Sequence, residues 1–181
     1  MMEPYEPRED TFLTIDTVLE YEVGLAAEVG CGPGHVLKAL LGKTGEVIGT
    51  DIDWTSLEQA KRNLSSEYGK VHLINSSTLP FRKACFDTVV SNPPYLPTDE
   101  QFFDPAIHGG PSGVETGLKI IDAAVEVLKP KGRLFLTNSS LGDTHRLLLR
   151  AAEKGFKLEK KVELNSFFET VFCFIFSLEA D

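Results

Sequence analysis

The sequence predicts an α/β domain built on a single doubly wound, mainly parallel seven-stranded sheet with one antiparallel edge hairpin. Two observations carry that expectation. Short apolar runs rich in β-branched residues alternate with amphipathic segments from Leu25 to Glu153, the pattern of a parallel sheet covered on both faces. The last two runs, near Leu158 to Leu164 and Thr170 to Leu178, instead alternate in polarity and follow one another directly, as a hairpin does.

Each element has a local reason. Asp10 or Thr11 can cap a first helix running to about Tyr21, with Leu13, Val18 and Leu19 as apolar positions. Leu25 to Val29 form the first strand, which runs into Gly30-Cys31-Gly32-Pro33-Gly34, and a helix follows from His35 to Leu41. Glu46 to Thr50 form the second strand, ending in Asp51-Ile52-Asp53. Asp53 can cap the next helix, Trp54 to about Ser65, whose Leu57, Ala60 and Leu64 share one face. Val71 to Ile74 and Phe86 to Val90 are the third and fourth strands. Leu96 to Gly117 reads as a loop with three prolines and four glycines, a length that in a compact domain signals function. Leu118 to Leu128 is an apolar helix stopped by Lys129-Pro130-Lys131-Gly132. Arg133 to Thr137 is the fifth strand, and Asp143 caps a helix through Glu153.

At 181 residues the chain is expected to be one domain, with residues 1–24 forming a segment and helix over the ligand site. Hydrophobic residues at 42% and charged residues at 25% are globular values. The formal charge of −9, from 27 acidic and 18 basic residues, counts against a protein that grips long nucleic acid. Cys31, Cys85 and Cys173 are widely spaced and form no C-x-x-C, so buried thiols in a reducing compartment are expected rather than disulfides or zinc. The four histidines have no metal spacing. Met1 to Thr11 lacks a signal-peptide apolar region, and no run is long enough to span a membrane, so a cytoplasmic location is expected.

The chemistry concentrates in Val89-Val90-Ser91-Asn92-Pro93-Pro94-Tyr95. Pro93 must end the strand, because proline offers no ladder donor, and Pro94 holds Pro93 extended. Asn92 is thereby fixed at a strand's C-terminal edge. Its amide oxygen, the Pro93 carbonyl and the Tyr95 ring form a clamp for a planar group bearing an NH₂, either an amide or a nucleobase amine. A strand-ending turn with an Asx cap is the bland alternative.

The turn after the first strand selects the partner of that clamp. A dinucleotide site wants G-x-G-x-x-G, but here Gly30-x-Gly32-x-Gly34 is followed by His35 where the third glycine would stand. Glu28 at the strand end would repel a pyrophosphate and suits an ammonium. S-adenosylmethionine carries that ammonium, a sulfonium and no phosphate. Asp51, at the tip of the second strand, is placed to accept ribose hydroxyls. Methyl transfer to a clamped nitrogen is the expected chemistry. A nicotinamide oxidoreductase is disfavoured by Glu28 and His35, and a noncatalytic cofactor-binding subunit by the intact clamp.

With these motifs together, the chain resembles HemK-type N5-glutamine methyltransferases, and most closely the short archaeal and eukaryotic branch acting on class-1 peptide-chain release factors. The resemblance covers essentially the whole chain. It rests on Tyr5-Glu6-Pro7-x-Glu9-Asp10-Thr11, Glu28-Val-Gly-Cys-Gly-x-Gly34, Thr50-Asp51-Ile52, Asn92-Pro-Pro-Tyr95 and Gly109-Gly110-x-x-Gly113. It implies a Rossmann-like class I methyltransferase fold and S-adenosylmethionine as cofactor, held by Thr11, Glu28, Gly30, Cys31, Gly32, Gly34, Asp51, Ile52, Thr78 and Asn92. It makes Asn92, Pro93 and Tyr95 the catalytic group, and the glutamine of a Gly-Gly-Gln loop the substrate. It further implies a small zinc-binding activator subunit forming a heterodimer over an exposed apolar strand edge. An exocyclic amine of adenine or guanine in RNA or DNA, or a protein lysine, is the alternative acceptor. One departure stands out: where the family has an Asp for the adenine amine, this chain reads Asn75-Ser76-Ser77-Thr78-Leu79, so a neutral group must serve.

Overall fold

The computed structural model describes residues 7–67, 69–99 and 102–180. In chain order the elements are α1 (Glu9–Leu19), β1 (Ala26–Val29), α2 (His35–Leu41), β2 (Val47–Asp51), α3 (Trp54–Asn63), β3 (Val71–Asn75), β4 (Phe86–Ser91), β5 (Leu96–Pro97), β6 (His108–Gly110), α4 (Glu115–Val127), β7 (Leu128–Ser139), α5 (Thr144–Glu153), β8 (Phe156–Asn165) and β9 (Thr170–Leu178). Seven strands form one sheet in the order β3-β2-β1-β4-β7-β9-β8. The first five are parallel, β9 lies antiparallel to β7, and β8 closes the edge antiparallel to β9. The expected sheet and its hairpin are present.

Successive strand residues leave opposite faces, and the core divides accordingly. Ala27, Val89, Leu134, Leu136 and Phe174 pack with Ile120, Ile121 and Leu147 from α4 and α5. Ala26, Val90, Phe135, Cys173 and Ile175 pack on the other face with Val18, Leu37, Leu40 and Leu57 from α1, α2 and α3. Both faces of β4 and β7 are buried, so these strands read as apolar runs rather than alternations. Among the described residues no helix is long and apolar enough to cross a membrane.

Four local expectations are corrected. Lys129 to Gly132 do not separate helix from strand: β7 begins at Leu128, and five of its residues pass while β4 advances two, with Lys131 at φ 66° in the irregularity. The segment after Leu96 is not wholly loop, since β5 and β6 pair in parallel, and α4 starts at Glu115 rather than Leu118. α1 starts at Glu9 and ends at Leu19, with Arg8 in the N-cap position and no side-chain cap. Asp10 and Thr11 are instead buried on its inner face, with Thr14 and Thr17. The Thr14 hydroxyl lies 2.8 Å from the Asp10 carbonyl and 2.6 Å from the Thr137 hydroxyl on β7. Thr14 thus ties α1 to β7 beside the apolar contacts of Val18, Leu13 and Leu19. Asp53 and Asp143 do cap α3 and α5, accepting from Thr55 and Ser56 and from Arg146 respectively.

Candidate active site

Strand β1 lies between β2 and β4, so the chain winds outward from it in both directions. The crevice at the C-terminal ends of these strands is where such sheets bind ligands. Here it opens into a cavity of about 1060 Å³, whose wall also includes the start of α1, the β5–β6 segment and residues beside the β8–β9 turn.

One half of the cavity is built by the first two strand ends. Gly30 and Gly32 have φ values of +70° and +49°, and a Cβ on either would project into open space. The backbone is therefore bare where a ligand would lie, in a conformation that favours glycine. The Gly30 and Cys31 amides donate to the Thr50 carbonyl at 2.8 and 3.0 Å, tying the turn to β2. Asp51 accepts from the Gly32 amide at 2.8 Å and from the Asp53 amide at 2.9 Å. Burial raises the Asp51 pKa, and those two hydrogen bonds oppose the rise.

Glu28 is only 2% exposed, and its Oε2 has no hydrogen-bond partner among the described residues. Burial drives its pKa well above the ordinary carboxylate value. A backbone hydrogen bond from Leu37 opposes this, and the Asp51 charge adds to it. A buried carboxyl left unpaired is costly unless something completes it. Among the described residues the wall carries six carboxyl groups (Glu9, Asp10, Glu28, Asp51, Asp53 and Glu169) against Arg8, Lys119 and the imidazoles of His35 and His108. That donor set fits a cationic ligand with ammonium hydrogens and ribose hydroxyls, as S-adenosylmethionine has, and does not fit a pyrophosphate.

The other half is built around the end of β4. Asn92, Pro93, Pro94 and Tyr95 line the same cavity. The Asn92 Nδ2 donates to Asp10 Oδ2 at 3.1 Å, and the Tyr95 hydroxyl donates to the same oxygen at 3.1 Å. Asn92 Oδ1 is buried with no hydrogen-bond partner among the described residues. Behind the clamp, β6 runs against its backbone. A Cβ on Gly113 would stand 2.6 Å from the Tyr95 carbonyl oxygen, and one on Gly109 would strike the Pro94 carbonyl. The spacing Gly109-Gly110-x-x-Gly113 is thus a close-approach requirement of the clamp.

Thr11, Glu28, Gly30, Cys31, Gly32, Asp51, Ile52, Asn92, Pro93 and Tyr95 all line this cavity; Gly34 and Thr78 do not. A Cβ on Gly34 would meet Leu64 at 2.8 Å and Ala60 at 3.3 Å, so this glycine lets α2 approach α3. The Thr78 amide donates to Ser76 Oγ at 3.3 Å, while Ser76 and Ser77 reach the wall. At the family's adenine-site departure, Asn75 Nδ2 donates to the Asp51 and Ile52 carbonyls at 3.0 and 2.9 Å. Its amide braces the end of β2, leaving the two serines at the wall.

His108 also lines the cavity, with its ring 5.8 Å from that of Phe103. Trp54 is 64% exposed and Phe167 and Phe168 are 91% and 84% exposed, so none of the three is core. The phenylalanines occupy the turn between β8 and β9, where strand alternation no longer applies. Tyr5 and Glu6 lie outside the described residues. The sequence motif marked Asp10 as belonging to a specific segment, yet its bonds to Asn92 and Tyr95 span more than eighty residues and had no local signal.

The family described as methyltransferase small domain matches residues 11–165. A relative from Methanocaldococcus jannaschii, named as a protein N5-glutamine methyltransferase, is 28% identical over 92% of this chain and 88% of its own. The mouse methyltransferase HEMK2 is 32% identical over 84% of this chain and 79% of its own. Bacterial release factor glutamine methyltransferases also match, but the chain spans only 58% of the one from Geobacter sulfurreducens and 51% of the one from Bradyrhizobium diazoefficiens. Among solved structures, the Mtq2–Trm112 complex of E. cuniculi, described as responsible for methylating the termination factor eRF1, has a chain with TM-score 0.77 and 26% identity. That match covers 99% of this chain and all of the other.

Proposed function

Because the chain belongs to the methyltransferase small domain family, we propose that it transfers a methyl group from S-adenosylmethionine to the side-chain amide nitrogen of a protein glutamine. The acceptor in this proposal is the Gly-Gly-Gln loop of a class-1 translation release factor; relatives are named for release factor glutamine and for the termination factor eRF1. One observation carries it: Glu28 and Asn92, which line a single cavity, each keep a buried acceptor atom, Oε2 and Oδ1, with no partner among the described residues. The first suits the cofactor's ammonium and the second an acceptor's NH₂.

S-adenosylmethionine, when bound, supplies a methyl group on a sulfonium centre. Glu28 pairs with its ammonium, and Asp51 accepts from the ribose hydroxyls. Thr11, Gly30, Cys31, Gly32 and Ile52 wall its remaining length. Across the cavity, Asn92 Oδ1 takes one hydrogen of the glutamine amide and the Pro93 carbonyl takes the other. An amide nitrogen is a poor nucleophile because its lone pair is delocalised. Two accepted hydrogens raise its electron density and stabilise the positive charge that grows on it. The clamp also holds the nitrogen at attack distance, which supplies much of the acceleration. The surplus proton leaves to water through the cavity mouth.

The rim suits a protein acceptor. Phe103 lines the cavity, and Phe167 and Phe168 project between the lining residues Ser166 and Glu169. Exposed aromatic groups at a site mouth mark an interaction surface.

A small zinc-binding activator subunit belongs to the same proposal. The two sheet edges support it by contrast. Edge strand β8 presents exposed Lys157, Glu159, Lys160, Lys161 and Glu163, which discourage pairing, whereas β3 presents half-buried Val71, Leu73 and Ile74 at the other edge. We read residues 1–181 as one cytoplasmic methyltransferase domain, with 1–24 capping the cofactor site.

The test offers labelled cofactor with a class-1 release factor and with total tRNA and rRNA, in the presence and absence of the activator subunit. Label mapped to the Gly-Gly-Gln glutamine is the expected result. Label on RNA would transfer the clamp to a nucleobase amine, and label on lysine would overturn the amide assignment.

A further inference from the structure

We propose that Asp10 is a positioning residue for catalysis, setting the orientation and the electronic character of the Asn92 amide; this rests on the methyl-transfer proposal above. The geometry is specific. Asp10 Oδ2 receives both the Asn92 Nδ2–H and the Tyr95 hydroxyl, each at 3.1 Å. A carboxylate has only lone pairs to offer. Nδ2 must therefore face Asp10, and Oδ1 must face the cavity, where it has no partner among the described residues. An Asn side chain can turn end for end with almost no change of shape. Turned over, it would present a donor to a substrate nitrogen that needs an acceptor. Asp10 removes that alternative.

Two further bonds hold Asp10 itself in place. Its Oδ1 accepts from the Thr11 amide at 2.7 Å, and its carbonyl accepts from the Thr14 hydroxyl, which reaches on to Thr137 of β7. The polar face of α1 thus transmits the position of the sheet to the carboxylate. Asp10 and Asn92 are respectively buried and part-buried, so their interaction is shielded from water and stronger than it would be in solvent. A negative charge behind Nδ2 polarises the amide toward Oδ1, which strengthens Oδ1 as an acceptor as charge grows on the methylated nitrogen. The hydroxyl bond to Tyr95 sets the ring in the same step. Asp10 touches neither the cofactor sulfonium nor the acceptor in this scheme. It acts through Asn92.

Asp10→Asn keeps the shape and removes the charge and the acceptor-only character. The expected result is a fall in kcat of about 10–100-fold, the range for losing an orienting outer partner. KM for the acceptor and Kd for the cofactor should be unchanged, as should Tm. Asp16→Asn, an exposed change on the same helix, serves as the control and keeps full activity. A readout independent of turnover is the Asn92 side-chain NH₂ pair in ¹⁵N-correlated NMR spectra of the wild-type protein, identified by its absence in Asn92→Ala. Its hydrogens should exchange slowly with solvent, and in Asp10→Asn both their shifts and their exchange rates should change. An unshifted Asn92 pair in Asp10→Asn, or a kcat loss matched by equal losses of cofactor affinity and Tm, would overturn the proposal. The spectra separate its failure from that of the methyl-transfer proposal, because they report the Asp10–Asn92 bond whatever the acceptor is.

Discussion

The cofactor half and the acceptor half of the cavity are each left incomplete by one buried oxygen, but they are assembled differently. Glu28 and Asp51 sit on two neighbouring strands with Gly30 and Gly32 in the turn between β1 and α2, and their bonds close within some twenty residues of chain. Asn92 and Tyr95 depend on Asp10, which reaches them from the far end of the sequence. A turn fixed by its own glycines can serve many ligands of one type. A clamp fixed by a separate helix can be tuned or lost without disturbing that turn. Affinity for the cofactor and turnover should therefore respond to different residues.

The largest expected separation comes from Asn92→Ala. Removing a preorganised group that stabilises transition-state charge costs about 10²–10³-fold in kcat, and cofactor affinity should stay near the wild-type value. Steady-state kinetics beside a binding titration reads both. Glu28→Gln should do the reverse. Losing a hydrogen bond to a charged group, about 1.5–3 kcal/mol, weakens cofactor binding by roughly 10–100-fold, while kcat at saturating cofactor changes little.

The rim sharpens the same division. Phe167→Ala with Phe168→Ala should raise KM for a whole release factor by several-fold, on the order of the 1 kcal/mol or more that separates contributing interface residues from neutral ones. A short peptide containing the acceptor loop should be unaffected.

The smallest effect is on stability. Burial raises the Glu28 pKa in the folded protein above its ordinary value of 4.5. Its contribution to stability without cofactor is therefore fully present below about pH 4.5 and is lost as pH rises through the folded pKa. A bound ammonium pairs with the ionised form, so the cofactor's increment in Tm should grow over the same rising-pH window. In Glu28→Gln this pH dependence should vanish.

What could be read from the sequence follows the same line between local and distant. The glycine turn, Glu28 and Asp51 were legible because each is a strand-end feature with a fixed spacing. Asn92-Pro-Pro-Tyr95 was legible for the same reason. The role of Asp10 was not, because its bonds to Asn92 and Tyr95 cross more than eighty residues and leave no local pattern. The packing of Gly34 on Leu64 and Ala60 was not legible, because a packing glycine and a ligand-facing glycine look alike until the neighbouring helix is in place.

The most direct test of the divided cavity is a calorimetric titration of S-adenosylmethionine into the wild type, Glu28→Gln and Asn92→Ala proteins. Weaker binding in Glu28→Gln, with wild-type binding retained in Asn92→Ala, is the predicted result. Equal weakening in both would contradict it, and would mean that Asn92 belongs to the cofactor's grip rather than to the acceptor's.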